Sequence, residues 1–425
     1  MSGVVFLGSL LGAIGIGIPI SFALMLSAVA LMVLLGNLDA QILAQRLVNG
    51  ADSYPLMAIP FFLIAGELMN AGGLSRRIVH VAMALVGHLR GGLGYVVIGT
   101  GLLMASLSGS AIADTATLAV MLVPLMRDAG YNMDRATGLM ASTGIIAPVI
   151  PPSVGFIILG VTANISIIGL FLAGIVPGIL MAVSLIIAWW FVSRKETAAL
   201  QPKLPRRDIP KAIFTAGWAL MLPVIILAGL RFGVVTPTEA GVVAAAYSLF
   251  VGLVVYRELT PKLLYEALLA AGRMTAVIML LVAASMVTGF MMTISSLPNQ
   301  FVALLRPFID TPTLLMAMIV LAIFIVGMVL DFAPSITILV PILMPLVNAA
   351  GIDPVYFGVI FIMTAAVGMI TPPVGTVLNT VCGISRVTMD SALKGVWPFL
   401  LAEIILIVLL VIFPQLVTVP ASWLH

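Results

Sequence analysis

Long apolar stretches separated by short polar interruptions make up almost the whole chain. A bilayer crossing needs roughly 20 apolar residues. Runs near or above that length occupy residues 4–36, 166–192, 212–230, 238–256, 276–292, 312–330 and 395–413. Shorter runs that end at Gly, Ser or Pro are typical of hairpins and half-helices packed inside a membrane protein. They occupy residues 93–107, 111–126, 137–150, 154–163, 332–347 and 374–382. The pattern predicts an all-α polytopic membrane protein with about ten to twelve crossings and two re-entrant hairpins.

Two stretches of the chain resemble one another, residues 66–152 and residues 289–373. At the start of the repeat, Gly66, Met69 and Leu74 correspond to Gly289, Met292 and Leu297. Further along, one constant offset relates Pro124, Leu125, Ala129, Gly130, Thr143, Pro151 and Pro152 to Pro345, Leu346, Ala350, Gly351, Thr364, Pro372 and Pro373. Duplicated halves with helix-breaking prolines at corresponding positions are typical of transporters that build one site from two broken helices near the bilayer midplane.

Composition narrows the class of protein. Hydrophobic residues make up 62% and charged residues 8% of the chain, a balance that requires a lipid environment. The single cysteine, Cys382, excludes an intrachain disulfide and a thiolate metal cluster. The three histidines have no zinc spacing and no serine motif beside them, and no Gly-rich loop ends in Lys-Ser or Lys-Thr. We therefore expect neither an enzyme nor a cofactor, and transport driven by an ion gradient or a partner.

A basic loop at residues 193–211 divides the sequence near its middle. It contains Arg194, Lys195, Lys203, Arg206, Arg207 and Lys211. The positive-inside rule places this loop in the cytoplasm, and a patch for nucleic acid or acidic lipid is the alternative. The predicted organisation is a first repeat half at 1–192, the basic cytoplasmic linker, connecting scaffold spans at 212–275 and a second repeat half at 276–425.

Charge also differs between the two copies of the repeat. Residues 66–135 contain five arginines, whereas residues 289–356 contain only Arg306. Equivalent loops are therefore expected on opposite sides of the membrane, which predicts inverted repeats. The run 4–36 is too long for a signal peptide and is predicted to be the first span.

Four polar islands interrupt the apolar background and are the expected place of a binding site. We call residues 106–115 the first tip and 331–337 the second tip, each at the turn of a hairpin (about 93–126 and 312–347). Residues 144–153 are the first break and 368–375 the second break, each inside a broken helix (about 137–163 and 355–382). Their prolines remove backbone donors and leave carbonyl groups without their usual partners.

These islands are suited to cations and carboxylates. Carbonyl, hydroxyl and carboxylate oxygens are hard ligands, which favours sodium over a transition metal. Helix N-termini that follow the tips and breaks would hold an anionic substrate group. Asp114 and Asp331 are intramembrane acids and hence candidate ligands, although a structural hydrogen bond to the hairpin and proton coupling remain open for both. Glu67, Glu239 and Glu403 are weaker candidates for binding substrate. The alternative is that each pairs with a hydroxyl, binds a neighbouring subunit or lies at the membrane interface.

Several motifs carry a resemblance to a known family. They are Ala58-Ile59-Pro60-Phe61-Phe62, Gly66-Glu67-Leu68-Met69-Asn70-Ala71-Gly72-Gly73, the Ser-Gly-Ser-Ala-Ile-Ala-Asp-Thr sequence at 108–115, Ile-Pro-Pro-Ser at 150–153 and Thr-Pro-Pro-Val-Gly at 371–375. Over nearly its whole length the chain resembles the large membrane subunit (DctM-like, or M subunit) of tripartite ATP-independent periplasmic (TRAP) transporters. The resemblance implies an elevator-type, sodium-driven transporter of the bacterial inner membrane.

The same resemblance implies partners and site residues. The partners are a small four-helix membrane subunit (Q, DctQ-like) and a periplasmic substrate-binding protein. No Q-like extension precedes residue 1, so the small subunit is expected as a separate chain. The first sodium is assigned to Ser108, Ser110 and Asp114 with backbone at Gly144, Ala147, Ile150 and Pro152. The second sodium is assigned to Asp331, Ser335 and Thr337 with Gly368, Met369 and Thr371. Substrate contacts are assigned to Ser110, Ser153, Ser335 and Asn379.

The resulting prediction is a sodium-coupled, binding-protein-dependent importer of a carboxylate such as a C4-dicarboxylate, sialic acid or a sugar acid. The alternative is a sodium- or proton-coupled organic anion carrier of related elevator fold that works without a binding protein. A channel would need a continuous polar stripe, and the polar residues instead form islands. A subunit that does not transport would not need paired intramembrane breaks.

Overall fold

The computed structural model describes residues 2–36, 38–194 and 208–424. These residues form helices and connecting turns, with no strand among them, so the prediction of an all-α polytopic protein is confirmed. Most of the basic linker, including Lys195, Lys203, Arg206 and Arg207, lies outside the described residues. Its cytoplasmic position and the division of the chain into halves therefore stay predictions.

Twenty α-helices follow one another in the described parts of the chain. They are α1 (Ser2–Gly15), α2 (Ile20–Leu34), α3 (Ala40–Ala51), α4 (Ala58–Ala71), α5 (Leu74–Val86), α6 (Gly92–Ser108), α7 (Ala111–Asp128), α8 (Met133–Gly144), α9 (Val154–Ala163), α10 (Ile167–Ser193), α11 (Asp208–Arg231), α12 (Pro237–Phe250), α13 (Pro261–Ile294), α14 (Leu297–Ile309), α15 (Pro312–Gly327), α16 (Phe332–Ala349), α17 (Pro354–Gly368), α18 (Thr376–Ser385), α19 (Met389–Ile412) and α20 (Gln415–Leu424). A 3₁₀ turn, Tyr54–Met57, precedes α4, and a π-helical turn, Val251–Val255, follows α12.

Seven helical segments in the described residues are long and apolar enough to cross a membrane. They are Tyr54–Ala71, Ile167–Ser193, Ile213–Arg231, Pro237–Val255, Pro261–Ile294, Phe332–Ala349 and Met389–Ile412. Shorter apolar helices, among them α9, α15, α17 and α18, supply further buried segments. The larger number of crossings expected from hydropathy stays a prediction, because length and composition alone do not say which short helices share a crossing.

The first apolar run is two helices, so the expectation of one first span over residues 4–36 is wrong. Helix α1 ends at Gly15 and α2 begins at Ile20, and the two helices pack against each other. Gly17 lies between them in the left-handed region, with φ 87°. Pro19 is the N-cap of α2 and has no backbone N–H to continue the preceding helix. Hydropathy does not register either residue as a break, since both are surrounded by apolar neighbours.

Two hairpins and two broken helices lie in the middle of the structure. Helices α6 and α7 pack together around the first tip, and α15 and α16 pack together around the second tip. Helices α8 and α9 flank the first break, and α17 and α18 flank the second. Each hairpin packs against half-helices of both repeats: α7 contacts α8 and α18, while α16 contacts α17 and α9. The two repeats are therefore interleaved rather than side by side.

Equivalent residues of the two repeats adopt the same local structure. Gly130 and Gly351 follow the hairpins with φ values of 79° and 65°, a region that glycine enters without steric cost. The side chains of Asn132 and Asp353 then accept a hydrogen bond from the backbone three residues on and cap α8 and α17. The peptide bonds Pro151-Pro152 and Pro372-Pro373 are both cis. The correspondence seen in the sequence is thus present in the fold.

Outer helices surround this interleaved unit. The longest helix, α13, packs against α2, α3 and α4, and α4 also packs against α12. Helix α10 contacts α6, α8, α9, α17 and α19, so it joins both repeats. Buried Trp189 on α10 donates a hydrogen bond from Nε1 to the Gly91 carbonyl at 2.8 Å and stacks between Tyr131 and Phe399. These contacts hold the hairpins and broken helices as one packed body.

Candidate functional site

Four helices begin at the polar islands: α7 after the first tip, α9 after the first break, α16 after the second tip and α18 after the second break. Two contacts bring the beginnings of α7, α9 and α16 together. A Cβ added to Gly109 in the first tip would lie 2.7 Å from the Pro152 carbonyl oxygen. A Cβ on Gly155, at the start of α9, would lie 3.3 Å from a ring carbon of Phe332, at the start of α16. Helix N-termini carry partial positive charge and unpaired N–H groups, so their convergence is suited to an anion.

The first tip holds a buried acid with one free oxygen. The Ser108 hydroxyl donates to Oδ1 of Asp114 at 2.5 Å, and it accepts a bond from the Ser110 backbone N–H at 3.2 Å. Asp114 is 2% exposed, and its Oδ2 has no hydrogen-bond partner among the described residues. The Ser110 hydroxyl caps α7 by accepting from the Ala113 N–H. Ser108, Ser110 and Asp114 thus lie together in the first tip, and their binding of sodium stays a prediction.

The second tip uses the same two residue types in exchanged positions. By the constant repeat offset, Ser110 corresponds to Asp331 and Asp114 corresponds to Ser335. Asp331 is the N-cap of α16, where its Oδ1 accepts the Phe332 N–H at 2.6 Å. The Ser335 hydroxyl donates to the Asp331 carbonyl at 2.8 Å, and the Thr337 hydroxyl donates to the Pro334 carbonyl at 3.0 Å. Both tips therefore offer one carboxylate and neighbouring hydroxyl oxygens.

The carbonyl groups of the first break are only partly free. The Gly144 carbonyl has lost its usual helical partner, because residue 148 is a proline. It accepts the Ala147 N–H at 3.2 Å instead, in a tight turn. The carbonyls of Ala147, Ile150 and Pro152 accept no hydrogen bond from the described residues. Gly144 itself packs so closely against Thr115 that a side chain there would collide with the Thr115 hydroxyl.

The second break is more fully bonded than expected. The Gly368 carbonyl accepts the Thr371 N–H at 2.9 Å, and the Met369 carbonyl accepts the Val377 N–H at 3.0 Å. The Thr371 hydroxyl donates to the Val367 carbonyl at 2.9 Å. The Gly368 and Met369 carbonyls therefore have one backbone bond each, which leaves only a second lone pair on each oxygen for a cation. Backbone N–H groups of Val374 and Gly375 bond to the Met328 carbonyl and tie the break to the second hairpin.

The predicted substrate contacts differ in their accessibility. Ser153 is fully buried, and its hydroxyl already donates to the Pro148 carbonyl at 2.6 Å and accepts the Phe156 N–H at 3.2 Å. It caps α9 and holds the break together. Asn379 on α18 is exposed, whereas Ser335 is fully buried and Ser110 is intermediate. Among these four residues, only Asn379 and Ser110 have side chains that are not fully buried, and all four substrate contacts stay predictions.

Sequence reasoning did not select two buried threonines of the broken helices. Thr143 on α8 and Thr364 on α17 are 1% and 0% exposed, and neither hydroxyl has a partner among the described residues. The hydroxyls of Ser142, beside Thr143, and of Thr376, the first residue of α18, are also buried without a partner among the described residues. Buried polar groups normally are hydrogen-bonded. The sequence did contain one indication of their importance, because the constant repeat offset relates Thr143 to Thr364.

The other intramembrane acids have separate surroundings. Glu67 lies on α4 and is partly buried. Glu239 closes a capping box with Thr236 at the start of α12. Glu403 on α19 is fully buried and accepts a bond from the Ser184 hydroxyl at 2.8 Å. Glu239 and Glu403 thus have structural partners.

The described residues contain no group of three or more His, Cys, Asp or Glu side chains that could hold a metal ion. The donors at the tips and breaks are hydroxyl, carbonyl and single carboxylate oxygens. Such a set fits a hard monovalent cation better than a transition metal.

Interleaved hairpins and broken helices, with oxygen donors at converging helix N-termini inside an apolar bundle, define the class of this protein as a polytopic membrane transporter. The family model described as "Tripartite ATP-independent periplasmic transporter, DctM component" matches residues 7–416. The chain therefore belongs to the DctM family, the large permease component of TRAP transporters, and the resemblance seen in the sequence is confirmed.

Named relatives and a solved structure agree with this assignment. The 2,3-diketo-L-gulonate TRAP transporter large permease protein YiaN of Escherichia coli is 52% identical over 425 residues, all of both chains. The sialic acid TRAP transporter large permease protein SiaM of Vibrio cholerae is 38% identical over 96% of each chain. The crystal structure of the YdaH transporter of Alcanivorax borkumensis has a TM-score of 0.64 at 15% identity and covers 89% of this chain and 91% of that one. The last similarity concerns the fold alone.

Proposed function

We propose that this chain is the permease subunit of a sodium-coupled importer for a sugar-acid carboxylate in a bacterial inner membrane. The family implies a tripartite system, so a separate small membrane subunit and a periplasmic binding protein would complete the transporter. The name of the E. coli relative, which is 52% identical over both full lengths, favours 2,3-diketo-L-gulonate or a similar sugar acid as the substrate. The sialic acid relative is less similar, at 38% identity.

The observation that carries the sodium assignment is the unpartnered Oδ2 of buried Asp114. A buried carboxylate oxygen without a donor is costly in an apolar region unless a cation or a proton binds it. Free carbonyls at Ala147, Ile150 and Pro152 and the tip hydroxyls supply further oxygen donors nearby. Asp331 with Ser335 and Thr337 would form the second site, with fewer free carbonyls.

The substrate carboxylate would bind between the two tips, where the N-termini of α7, α9, α16 and α18 converge. Sodium in the two sites would add positive charge beside that carboxylate and fix the tips. Binding of one ligand would then raise the affinity for the other, and this linkage is reciprocal. The unit of hairpins and broken helices would slide as one body against outer helices such as α4, α12 and α13, which is an elevator movement.

Uptake into proteoliposomes tests the proposal. The vesicles contain this chain with its small subunit and receive the binding protein outside, with labelled 2,3-diketo-L-gulonate, sialic acid or a C4-dicarboxylate. We expect uptake of the sugar acid that requires an inward sodium gradient and the binding protein. The variants Asp114→Asn and Asp331→Asn should lose this uptake and still assemble with the small subunit. Equal uptake with potassium in place of sodium would overturn the sodium assignment, and uptake without the binding protein would indicate a conventional carrier.

A further inference from the structure

Arg273 is a cation without a partner in the longest apolar helix. It lies on α13, inside the candidate span Pro261–Ile294, and its side chain is exposed. No hydrogen bond or ion pair reaches its guanidinium among the described residues. Glu266, the one acid of α13, lies two turns earlier and pairs with Lys262 at 4.0 Å. An unpaired charge within a membrane segment is costly, and such a residue normally pairs with another group or marks a functional contact.

The contacts of α13 place Arg273 at the depth of a membrane-spanning neighbour, α4. Near the end of α4, Leu68 packs with Ala267 of α13 in one buried cluster. Just before the start of the candidate span that contains α4, Gly50 contacts α13, and a Cβ on Gly50 would lie 3.1 Å from the Ala283 Cα. Arg273 is between these two levels, about 9 Å from Ala267 and about 15 Å from Ala283 along the helix axis. It therefore lies beside the candidate span and not beyond its end.

The part of α13 around Arg273 is exposed on nearly every side. Among residues 268–277 only Ala271 is buried, whereas the second half of the helix is largely buried. Residues two positions apart on an α-helix point in directions about 200° apart, so Arg273 points away from the side on which Ala271 is buried. Exposed Ala270 and Ala276 flank Arg273 on the same side. We call Ala270, Arg273 and Ala276 the α13 face.

A second copy of this chain does not fit the α13 face. In a twofold pair within one membrane, each residue of the face meets residues at the same depth in the copy. Arg273 would then lie close to the other Arg273, and like charges repel strongly at low dielectric. The complementary surface is a helix of a different chain that carries an aspartate or a glutamate at this depth. Arginine forms paired hydrogen bonds with a carboxylate in addition to the attraction between opposite charges.

We propose that the α13 face binds a membrane-spanning helix of the small subunit, and that an acid of this helix pairs with Arg273. The inference rests on the proposed function, which requires a separate small membrane subunit. It adds the place on this chain where the subunit binds and the charge that recognises it. Ala270 and Ala276 let the partner helix approach closely, as small residues do in membrane helix pairs, so the ion pair is shielded from lipid.

Copurification of the two subunits from detergent-solubilised membranes tests the inference. This chain carries an affinity tag, and the small subunit encoded beside it is coexpressed. Arg273→Glu places a negative charge opposite the expected acid, so we expect the amount of small subunit recovered per tagged chain to fall several-fold or more. Arg273→Lys should retain the small subunit. The matched control is Lys262→Glu, which makes the same change of charge at the start of the same helix, about 16 Å away, and should keep the wild-type ratio.

A bulky side chain tests the same contact without a change of charge. Ala276→Trp should hold the partner helix away from the α13 face and lower the recovery of the small subunit. Leu268→Trp is the control, because Leu268 is exposed on another side of the same part of α13. Neither substitution fills buried space in this chain, so the two variants should reach the membrane in equal amounts. Equal recovery of the small subunit by the two variants would contradict a helix contact at Ala276.

A rescue experiment identifies the partner of Arg273. In the Arg273→Glu background, each aspartate and glutamate in the apolar segments of the small subunit is replaced by arginine in turn. One replacement should restore copurification and uptake, and the absence of any rescue would overturn the ion pair.

The remaining outcomes separate this inference from the proposed function. A long arginine side chain can also reach a lipid phosphate. Normal recovery of the small subunit by Arg273→Glu, with less copurified anionic phospholipid by mass spectrometry, would assign Arg273 to lipid and overturn the inference. A wild-type chain that retains no small subunit would contradict the proposed tripartite function itself. A wild type that retains the subunit, together with an Arg273→Glu variant that retains it equally well, refutes the role of the α13 face alone.

Discussion

Thr143 and Thr364 occupy equivalent positions in the two broken helices, and both hydroxyls are buried without a hydrogen-bond partner. Each threonine lies in the last turns before a break, at the end of α8 or α17. A buried hydroxyl without a partner destabilises the fold by about 1–3 kcal/mol. Because the same defect recurs at both equivalent positions, we predict that these oxygens act in transport, as partners of an ion or water that enters the breaks.

Replacement of these threonines by valine separates stability from transport. Valine has the shape of threonine without the hydroxyl, so Thr143→Val and Thr364→Val should not lower the melting temperature of the complex. We expect sodium-driven uptake to fall in both variants, because an oxygen near each break is lost. Thr162→Val is the control, since its hydroxyl on α9 already bonds to the Ile158 carbonyl at 2.8 Å. Normal uptake by Thr143→Val and Thr364→Val would leave the two hydroxyls without a role in transport.

Arg127 joins the two repeats at the far end of the interleaved helices. Its Nη2 donates to the Ser385 carbonyl at 2.5 Å, and the Ser385 hydroxyl accepts a bond from Thr137 at 3.0 Å. Arg127 lies in the last turn of α7 and Ser385 ends α18, where a cation also interacts favourably with the helix dipole.

Removal of the hydrogen bond between Arg127 and Ser385 should weaken the packing of α7 against α18. Helix α7 begins at the first tip and α18 begins at the second break. We expect Arg127→Gln to lower the free energy of unfolding by about 1.5–3 kcal/mol, as for other hydrogen bonds to charged groups. Thermal unfolding of the complex in detergent measures this change. Arg76→Gln, at an exposed position on α5, is the control for loss of one positive charge. Equal melting temperatures for the two variants would mean that the hydrogen bond from Arg127 to the Ser385 carbonyl does not stabilise the fold.

Several elements of this fold could be predicted from the sequence because they depend on local chemistry. Prolines in the two breaks and Ser-Gly-Ser in the first tip interrupt helices whatever surrounds them. The repeat offset also indicated which residues correspond. The division of the run 4–36 was missed, since Pro19 and Gly17 have apolar neighbours and a hydropathy average passes over them.

Contacts between distant segments were beyond the reach of the sequence. Hydropathy has no information on which half-helix packs against which hairpin, so the pairing of α7 with α18 and the bond from Arg127 to Ser385 could not be predicted. The role of Ser153 is a different case. A serine directly before a helix is a typical N-cap, and its hydroxyl indeed caps α9, so local reasoning alone favoured a structural role over the predicted substrate contact.

Gly109 offers a test of the contact between the first tip and the first break. Its φ of 63° lies in the left-handed region, and a Cβ there would come within 2.7 Å of the Pro152 carbonyl oxygen. Gly109→Ala should therefore push the tip away from the break and abolish uptake. Gly130→Ala is the control. Its φ of 79° gives alanine the same conformational cost of about 1–2 kcal/mol, but no atom lies within 4 Å of the added Cβ, so there is no collision. Similar uptake by both alanine variants would mean that strain, and not the contact, determines the effect.

Glu403 and Ser184 couple α19 to α10 by a hydrogen bond inside the membrane. The Ser184 hydroxyl donates to Oε1 of Glu403 at 2.8 Å, while Oε2 is buried without a partner among the described residues. Ser184→Ala removes the one observed donor to this fully buried acid and should lower the free energy of unfolding by about 1–3 kcal/mol. In a Glu403→Met background the same serine substitution should cost much less, because methionine needs no donor and is of similar length.

A double-mutant cycle of these two substitutions measures the coupling. We expect a coupling free energy of at least about 1 kcal/mol, read from melting curves of the four proteins under identical detergent and salt conditions. Additive effects would contradict the bond as a stabilising contact between the two helices. Uptake measured in parallel gives an independent result. Glu403 is not among the predicted sodium ligands, so Glu403→Met should keep the sodium dependence of the wild type, whereas Asp114→Asn should not.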